Sequence, residues 1–254
     1  MIPRPAAFWM ATPPRPESLL QGSLLSATGQ PDCSPWPASP EDPRWITAPG
    51  LQLRHWRGWL SPADALMAPR PGSQALQQHL LRAIPWQQPA VRVYGRLHPV
   101  PRLVCWLGDP GATYAYSGLE HHPEPWTDPL ERLRQQLQAF LGCRFNSLLL
   151  NRYRHGLDRM GWHADDEPEL PADQPIASLS LGVSRCLRFR PHPSPPAGHH
   201  SQAEGSGPLN LELADGDLLV MDPPTQQHWQ HELPVRRRIQ AERINLTFRW
   251  VQGR

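Results

Sequence analysis

Proline content is the feature that most limits the folds open to this chain. The sequence contains 33 prolines among 254 residues, about 13%, whereas proteins average about 5%. Because proline removes a backbone N–H donor and disrupts helix interiors, long helical bundles and coiled coils are disfavoured. The sequence therefore predicts short strands joined by turns.

The prolines also divide the chain into segments. Ten of them lie in residues 1–45, which have no periodic apolar pattern and are predicted to form a disordered extension. Residues 46–254 are predicted to form one folded domain. Within that domain, residues 191–208 are rich in Pro, Gly, Ser and His, and this composition is typical of a low-complexity surface loop.

Hydrophobic periodicity predicts a fold that is mainly β, with helices on the N-terminal side. Helical spacing covers residues 72–83 and 128–141. Residues 91–95 and 103–107 are predicted to pair as a β-hairpin. Seven further short segments have strand character, at 147–153, 176–182, 186–190, 209–213, 217–221, 228–233 and 243–251. Turn residues separate them, which favours a sandwich or jelly roll.

Composition restricts the location and the partners. No apolar run approaches the roughly 20 residues of a membrane span, and the first ten residues lack the pattern of a secretory signal. A cytoplasmic protein without a membrane partner is expected. The four cysteines are far apart in the sequence, so reduced thiols are expected. The formal charge of +2 is too small to indicate nucleic-acid binding by itself.

His163 and Asp165 form the first candidate metal-binding pair. Side chains at positions i and i+2 of extended backbone face the same way, so both can reach one ion. Such a pair is common by chance in a chain with 12 histidines. A second histidine would complete the facial triad of non-haem Fe(II) oxygenases, and His231 in the strand-like segment 228–233 is the candidate.

The last predicted strand supports an anion site. Alternation places Ile244, Leu246 and Phe248 on one face, and the other face carries Arg243, Asn245, Thr247 and Arg249. Two arginines inside a sandwich would need counter-charges. A dicarboxylate such as 2-oxoglutarate would satisfy both through bidentate pairing. The alternative is an exposed edge strand with solvated arginines.

Five sequence blocks occur in order along the folded domain. They are NRY at 151–153, GWHADDE at 161–167, PIASLSLG at 175–182, HWQHELP at 228–234 and RINLTFR at 243–249. Together they resemble the AlkB family of Fe(II)/2-oxoglutarate dioxygenases, and in particular the branch with the animal DNA-repair homologues. The resemblance covers about residues 50–252.

The resemblance implies a double-stranded β-helix, also called a jelly roll, and a metal-dependent oxidative reaction. His163, Asp165 and His231 would be the catalytic iron ligands. The residues that it places around 2-oxoglutarate are Asn151, Tyr153, Arg243, Asn245, Thr247 and Arg249. With O2, such an enzyme demethylates bases of the 1-methyladenine and 3-methylcytosine type in DNA and releases succinate, CO2 and formaldehyde.

The resemblance also implies a substrate site. Its pocket for a flipped base would be lined by Tyr114, Ala115, Tyr116 and Ser117, with Asp166 beside it. Aromatic faces and a carboxylate suit a positively charged methylated ring. The segment Tyr94, Gly95 and Arg96 corresponds to the hairpin that fills the gap left by the flipped base. The alternative for these tyrosines is ordinary half-buried strand positions.

Several functional alternatives remain open at this point. A monomeric enzyme acting on DNA is the leading hypothesis, with RNA as a second nucleic-acid substrate. The iron core does not choose the substrate, so a protein side chain or a small molecule is an alternative. A jelly roll that binds nucleic acid without turnover is disfavoured by the complete triad. Residues 236–238, three arginines, are interpreted either as phosphate contacts or as a solvated turn.

Overall fold

A computed structural model describes residues 42–60, 72–93, 96–112, 114–116, 119–121, 123–193 and 207–252, and these residues form fifteen strands and three helices. The strands are β1 (Arg44–Ala48), β2 (Leu51–Trp56), β3 (Ala90–Val93), β4 (Arg96–Pro99), β5 (Leu103–Gly108), β6 (Tyr114–Tyr116), β7 (Leu119–His121), β8 (Ser147–Tyr153), β9 (Met160–His163), β10 (Ile176–Gly182), β11 (Arg185–Pro191), β12 (Leu209–Leu213), β13 (Leu218–Met221), β14 (Trp229–Leu233) and β15 (Arg243–Arg249). The helices are α1 (Ser73–Ala83), α2 (Asp128–Leu141) and α3 (Thr225–His228).

Two antiparallel sheets carry most of the strands. The larger sheet has the order β1-β2-β13-β10-β15-β8-β5, and the smaller has the order β12-β11-β14-β9. Side chains from both sheets pack into one apolar cluster, for example Leu53 and Leu219 from the larger sheet against Phe189 and Trp229 from the smaller. This arrangement confirms the predicted mainly β, jelly-roll fold.

Helices α1 and α2 cover the other face of the larger sheet. Their buried leucines join the core of that sheet, and they are Leu76, Leu80, Leu130, Leu133 and Leu137. Helix α2 ends at Gly142, whose φ of 69° suits glycine. Both predicted helices are confirmed. None of the three helices in the described part of the chain has the length and apolar character that a membrane crossing requires.

Strand β15 lies inside the larger sheet, between β10 and β8. Ile244, Leu246 and Phe248 are fully buried in the core under the helices, as their alternation predicts. The opposite face of the strand points between the two sheets. The alternative of an exposed edge strand is therefore wrong.

The predicted hairpin between residues 91–95 and 103–107 is also wrong. Strand β3 pairs with β4, which the segment between them supplies, while β5 pairs with β8 in the larger sheet. Strand β4 ends at Pro99, and Pro101 lacks the N–H group needed to extend it. The apolar side chains of β5 instead reach the core under the helices, where Cys105 and Leu107 are buried.

The structure describes only the end residues of the predicted extension (1–45) and of the predicted surface loop (191–208). Strand β1 begins at Arg44, two residues inside the predicted extension, and residues 1–41 lie outside the described part. Strand β11 runs to Pro191 and β12 begins at Leu209. Residues 194–206 of the predicted surface loop lie outside the described part.

Three of the four cysteines lie in the described part, and all three are free thiols: Cys105, Cys143 and Cys186. Burial raises the pKa of Cys105 to about 12 and that of Cys143 to about 11. Both thiols stay protonated at neutral pH, so neither is an activated nucleophile.

Gly156 is the point where the turn after β8 touches the segment between β14 and β15. Its N–H donates to Ile239 O at 2.8 Å and its carbonyl accepts from Arg236 N at 2.7 Å. A Cβ at this position would lie 1.8 Å from Arg236 O. We expect Gly156→Ala to lower the free energy of unfolding by roughly 1–3 kcal/mol, because one backbone segment must move. Urea denaturation measures the change.

Gly161→Ala is the matched control for this prediction. A Cβ at Gly161 meets no atom within 4 Å, and its unfolding free energy should stay within roughly 0.5 kcal/mol of the wild type. Equal destabilisation by the two substitutions would contradict the contact between the segments.

Candidate metal centre and anion pocket

Three side chains meet between the sheets, at the end of β9. His163 is the last residue of β9, and the strand register places it opposite His231 of β14. Asp165 follows two residues after His163. One ligand atom from each of the three lies within 4.8 Å of the others, and Asp165 and His231 are buried. The structure thus brings together the three residues predicted as metal ligands.

The histidines are oriented for metal binding. His163 Nδ1 lies 2.8 Å from the Gly161 carbonyl oxygen. A carbonyl only accepts, so Nδ1 donates and Nε2 is the atom available to an ion. Burial lowers the pKa of His231 to about 3, and the neighbouring His163 is the second largest cause of this shift. The His231 imidazole is therefore neutral, the form that ligates metals.

Asp165 supplies the negative charge of the cluster. Burial would raise the pKa of its carboxyl, but Arg249, His231 and His163 outweigh burial and hold the pKa below its usual range. Arg249 Nη2 donates to Asp165 Oδ1 at 2.5 Å. Two imidazoles and one ionised carboxylate are the donor set of the facial-triad type, and they fit Fe(II).

The pocket next to this cluster contains every residue predicted to hold the iron or the 2-oxoglutarate. Its lining comprises Leu149, Asn151, Tyr153, Met160, His163, Asp165, Ser178, Leu187, Met221, His231, Leu233, Arg243, Asn245, Thr247 and Arg249. The residues predicted to hold 2-oxoglutarate come from β8 and β15, and apolar residues from both sheets enclose them. The pocket is suited to a small anion held beside a metal ion.

Arg243 is the cation of this pocket that lacks a counter-charge. It is 2% exposed, and its Nη2 donates to Ser180 Oγ at 2.8 Å. Among the described residues, no carboxylate pairs with it. Burial lowers its pKa to about 10, so the guanidinium remains charged at neutral pH. A bound carboxylate would satisfy it.

Arg249 differs from Arg243 because Asp165 already neutralises it. The expectation that both arginines require an external dicarboxylate is therefore corrected: the need for an anion rests on Arg243. Arg249 Nε, which has no partner among the described residues, keeps one donor for a ligand.

Asn245 connects β15 to β10, and Thr247 holds the Asn245 amide from within β15. Asn245 Nδ2 donates to Ser178 Oγ at 2.8 Å and to Leu179 O at 3.1 Å. Thr247 Oγ1 donates to Asn245 Oδ1 at 3.0 Å. These bonds occupy the Asn245 amide, so it serves to hold β15 and β10 together at the floor of the pocket.

Arg102, which sequence reasoning missed, contacts the pocket residue Asn151. Its Nε donates to Asn151 Oδ1 at 2.8 Å, so the Asn151 Nδ2 is the group left for other partners. Arg102 lies between β4 and β5, outside any periodic segment. No pattern in the sequence indicates this contact.

The predicted substrate residues are described only in part. Asp166 is exposed beside Asp165, and Arg96 is exposed on β4. Tyr114, Ala115 and Tyr116 form β6, but their side chains are not described. Tyr94, Gly95 and Ser117 lie outside the described residues. The arginines at 236–238 are exposed.

Comparison with known proteins agrees with this geometry. Residues 52–249 match the model of the 2OG-Fe(II) oxygenase superfamily. The chain is 45% identical over 167 residues to the mouse DNA oxidative demethylase ALKBH2, covering 63% of this chain and 66% of the relative. It is 44% identical to the human ALKBH2 over the same length, covering 63% and 60%.

More distant matches agree. Rat alpha-ketoglutarate-dependent dioxygenase alkB homolog 3 is 37% identical over 176 residues, covering 68% of this chain and 58% of the relative. The solved structure of OsALKBH1 has a TM-score of 0.51 at 18% identity, covering 80% of this chain and 99% of that one, and shows the same fold. The chain spans less than two thirds of the length of the three curated relatives. It belongs to the 2OG-Fe(II) oxygenase superfamily and, within it, to the AlkB family.

Proposed function

We propose that the protein is an Fe(II)- and 2-oxoglutarate-dependent dioxygenase that removes alkyl groups from N-alkylated bases in DNA. The observation that carries this proposal is the cluster of His163, Asp165 and His231 in the same pocket as the unneutralised Arg243. The DNA substrate is supported by the relatives named DNA oxidative demethylase.

Different pocket residues would bind the iron and the co-substrate. His163, Asp165 and His231 would hold Fe(II), and Arg243 would pair with a carboxylate of 2-oxoglutarate. Asn151, oriented by Arg102, would donate its amide N–H to the same molecule. When bound, iron supplies oxidation of the N-methyl carbon by O2, coupled to decarboxylation of 2-oxoglutarate to succinate and CO2.

Release of the alkyl group needs no protein nucleophile. Oxidation converts the N-methyl carbon to a hydroxymethyl carbon, and the N–C bond then breaks to give formaldehyde and the unmodified base. The apolar walls Leu149, Leu187 and Leu233 would limit water beside the iron and strengthen electrostatic contacts within the pocket.

Substrate recognition would rest on the flipped base. Tyr114 and Tyr116 would contact the ring, and the exposed Asp166 would attract its positive charge. The monomeric state and the cytoplasmic location remain predictions from the sequence.

A direct assay tests the function. The purified protein is incubated with Fe(II), 2-oxoglutarate and DNA oligonucleotides that carry 1-methyladenine or 3-methylcytosine, and the bases are analysed by mass spectrometry. Loss of the methyl group that depends on both Fe(II) and 2-oxoglutarate is expected. A matched RNA oligonucleotide distinguishes the two nucleic acids. Succinate formation without demethylation of either would contradict a nucleic-acid substrate.

Tyr94 provides a prediction about the form of the DNA. If Tyr94 fills the gap left by the flipped base, Tyr94→Ala should lower activity on methylated duplex much more than on the same lesion in single-stranded DNA, where no duplex is disrupted. Tyr114→Ala should lower both activities, because it would contact the flipped base in either case. Equal losses on duplex and single strand for Tyr94→Ala would exclude the wedge role.

A further inference from the structure

The turn between β13 and β14 reaches the metal cluster through a side chain that is not a ligand. Gln226 lies in α3, and its Oε1 accepts a hydrogen bond from the Asp165 backbone N–H at 3.0 Å. Its Nε2 lies 3.3 Å from Met221 Sδ. Both ends of the amide are thus engaged, one with the loop that carries Asp165 and the other with β13.

The segment that carries Gln226 is itself anchored at its start. Asp222 receives two hydrogen bonds from Arg54, each 2.7 Å long. Thr225 Oγ1 accepts from Gln52 N at 2.9 Å and donates to Gln52 O at 3.1 Å. These contacts fix the turn against β2.

The end of the segment is anchored too. Trp229 is fully buried, and its Nε1 donates to Pro49 O at 3.0 Å. His231 follows two residues later, in β14. One rigid stretch therefore carries a metal-ligand candidate and, five residues before it, the side chain that contacts Asp165.

Asp165 needs such support because it lies beyond the end of β9, outside the strand ladder. Its carboxylate is drawn toward Arg249 on one side and faces His231 on the other, with Asp165 Oδ2 3.9 Å from His231 Nε2. Without a hydrogen bond to the Asp165 backbone, the ion pair with Arg249 could draw the Asp165 carboxylate away from the metal site. The bond from Asp165 N to Gln226 holds that backbone in place.

We infer that Gln226 is a positioning residue: it fixes the Asp165 backbone relative to His231 and so sets the affinity of the site for its metal. This inference rests on the proposed function, because it takes Asp165 and His231 as iron ligands. Groups that orient metal ligands are typically worth about 10- to 100-fold in metal affinity. Gln226 would act through Asp165 and not by touching the substrate.

Three variants separate this role from packing. Gln226→Leu keeps a similar volume but removes the acceptor for the Asp165 N–H. Gln226→Glu keeps an oxygen at the same distance along the side chain. Gln227→Leu is the control, since Gln227 is the neighbouring residue of α3 and no described side-chain hydrogen bond links it to Asp165.

Co(II) titration of the metal-free protein, followed by the visible absorption of the bound ion, measures the affinity without turnover. Gln226→Leu should weaken Co(II) binding about tenfold, Gln226→Glu should recover most of that loss, and Gln227→Leu should match the wild type. Backbone exchange at Asp165, followed by NMR, should become faster in Gln226→Leu alone. Thermal unfolding verifies that all three variants fold.

The outcomes distinguish the two proposals. If the wild type binds Co(II) but Gln226→Leu binds it equally well, the positioning role is overturned and the proposed function stands. Equal weakening by Gln226→Leu and Gln226→Glu would also overturn it, because the acceptor would then not matter. Absence of Co(II) binding by the wild type would overturn the metal site and, with it, both proposals.

Discussion

Replacing Asp165 by alanine should abolish both Fe(II)-dependent demethylation and tight metal binding. Asp165 is the only carboxylate in the three-residue cluster, so its loss leaves two imidazoles and no negative charge to hold the ion. His163→Ala and His231→Ala should also eliminate turnover, because each removes one of three protein ligands. Mass spectrometry of methylated oligonucleotides and metal titration measure the two losses.

Asp165→Ala should also lower the stability of the metal-free protein. Asp165→Ala leaves Arg249, whose side chain is 13% exposed, without its counter-charge. Breaking a buried ion pair by removing one partner costs about 3–5 kcal/mol, and partial exposure of Arg249 should bring the loss to about 3 kcal/mol or less. The double variant Asp165→Ala, Arg249→Met should recover stability but not activity. Metal-free urea denaturation tests this.

Two outcomes would contradict this account of Asp165. Demethylation near the wild-type rate by Asp165→Ala would exclude it as a ligand. Equal stability of Asp165→Ala and the double variant would mean that leaving Arg249 without its counter-charge does not destabilise the fold.

Elements with a strict local pattern could be predicted from the sequence. Strand β15 alternates without interruption, so the faces of Arg243 and Phe248 follow from spacing alone. His163 and Asp165, two residues apart, could likewise be recognised as a pair from the sequence, although Asp165 lies beyond the end of β9 and not on extended strand backbone. In each case the information lies within a few residues of the chain.

Features that depend on distant parts of the chain could not be predicted. The bond from Gln226 to Asp165 spans 61 residues, and neither residue carries a signal for the other. The pairing of β5 with β8 rather than β3 could not be predicted, because apolar strands look alike in sequence. It depends on the packing of β5 into the core under the helices. The ion pair of Arg249 with Asp165 belongs to the same class.

Arg243 offers a test in which binding and stability should separate. Arg243→Met should raise the KM for 2-oxoglutarate roughly 10- to 100-fold, since a hydrogen bond to a charged group contributes about 1.5–3 kcal/mol. The kcat at saturating 2-oxoglutarate should change much less, because Arg243 is at the opposite end of β15 from Arg249, the residue that contacts Asp165. Succinate formation at varied 2-oxoglutarate measures both constants.

The same substitution should leave the metal-free protein as stable as the wild type, or more so. Arg243 is buried, and its guanidinium donates a hydrogen bond to the Ser180 hydroxyl. Replacing a buried charge by an apolar side chain of similar volume is often neutral or stabilising. Arg236→Met, at an exposed position, is the control and should change neither the KM nor the stability. A loss of stability in Arg243→Met with an unchanged KM would instead make Arg243 a structural residue. Loss of an anion-binding group raises the KM for 2-oxoglutarate and leaves the stability intact, whereas loss of a structural group lowers the stability and leaves the KM unchanged.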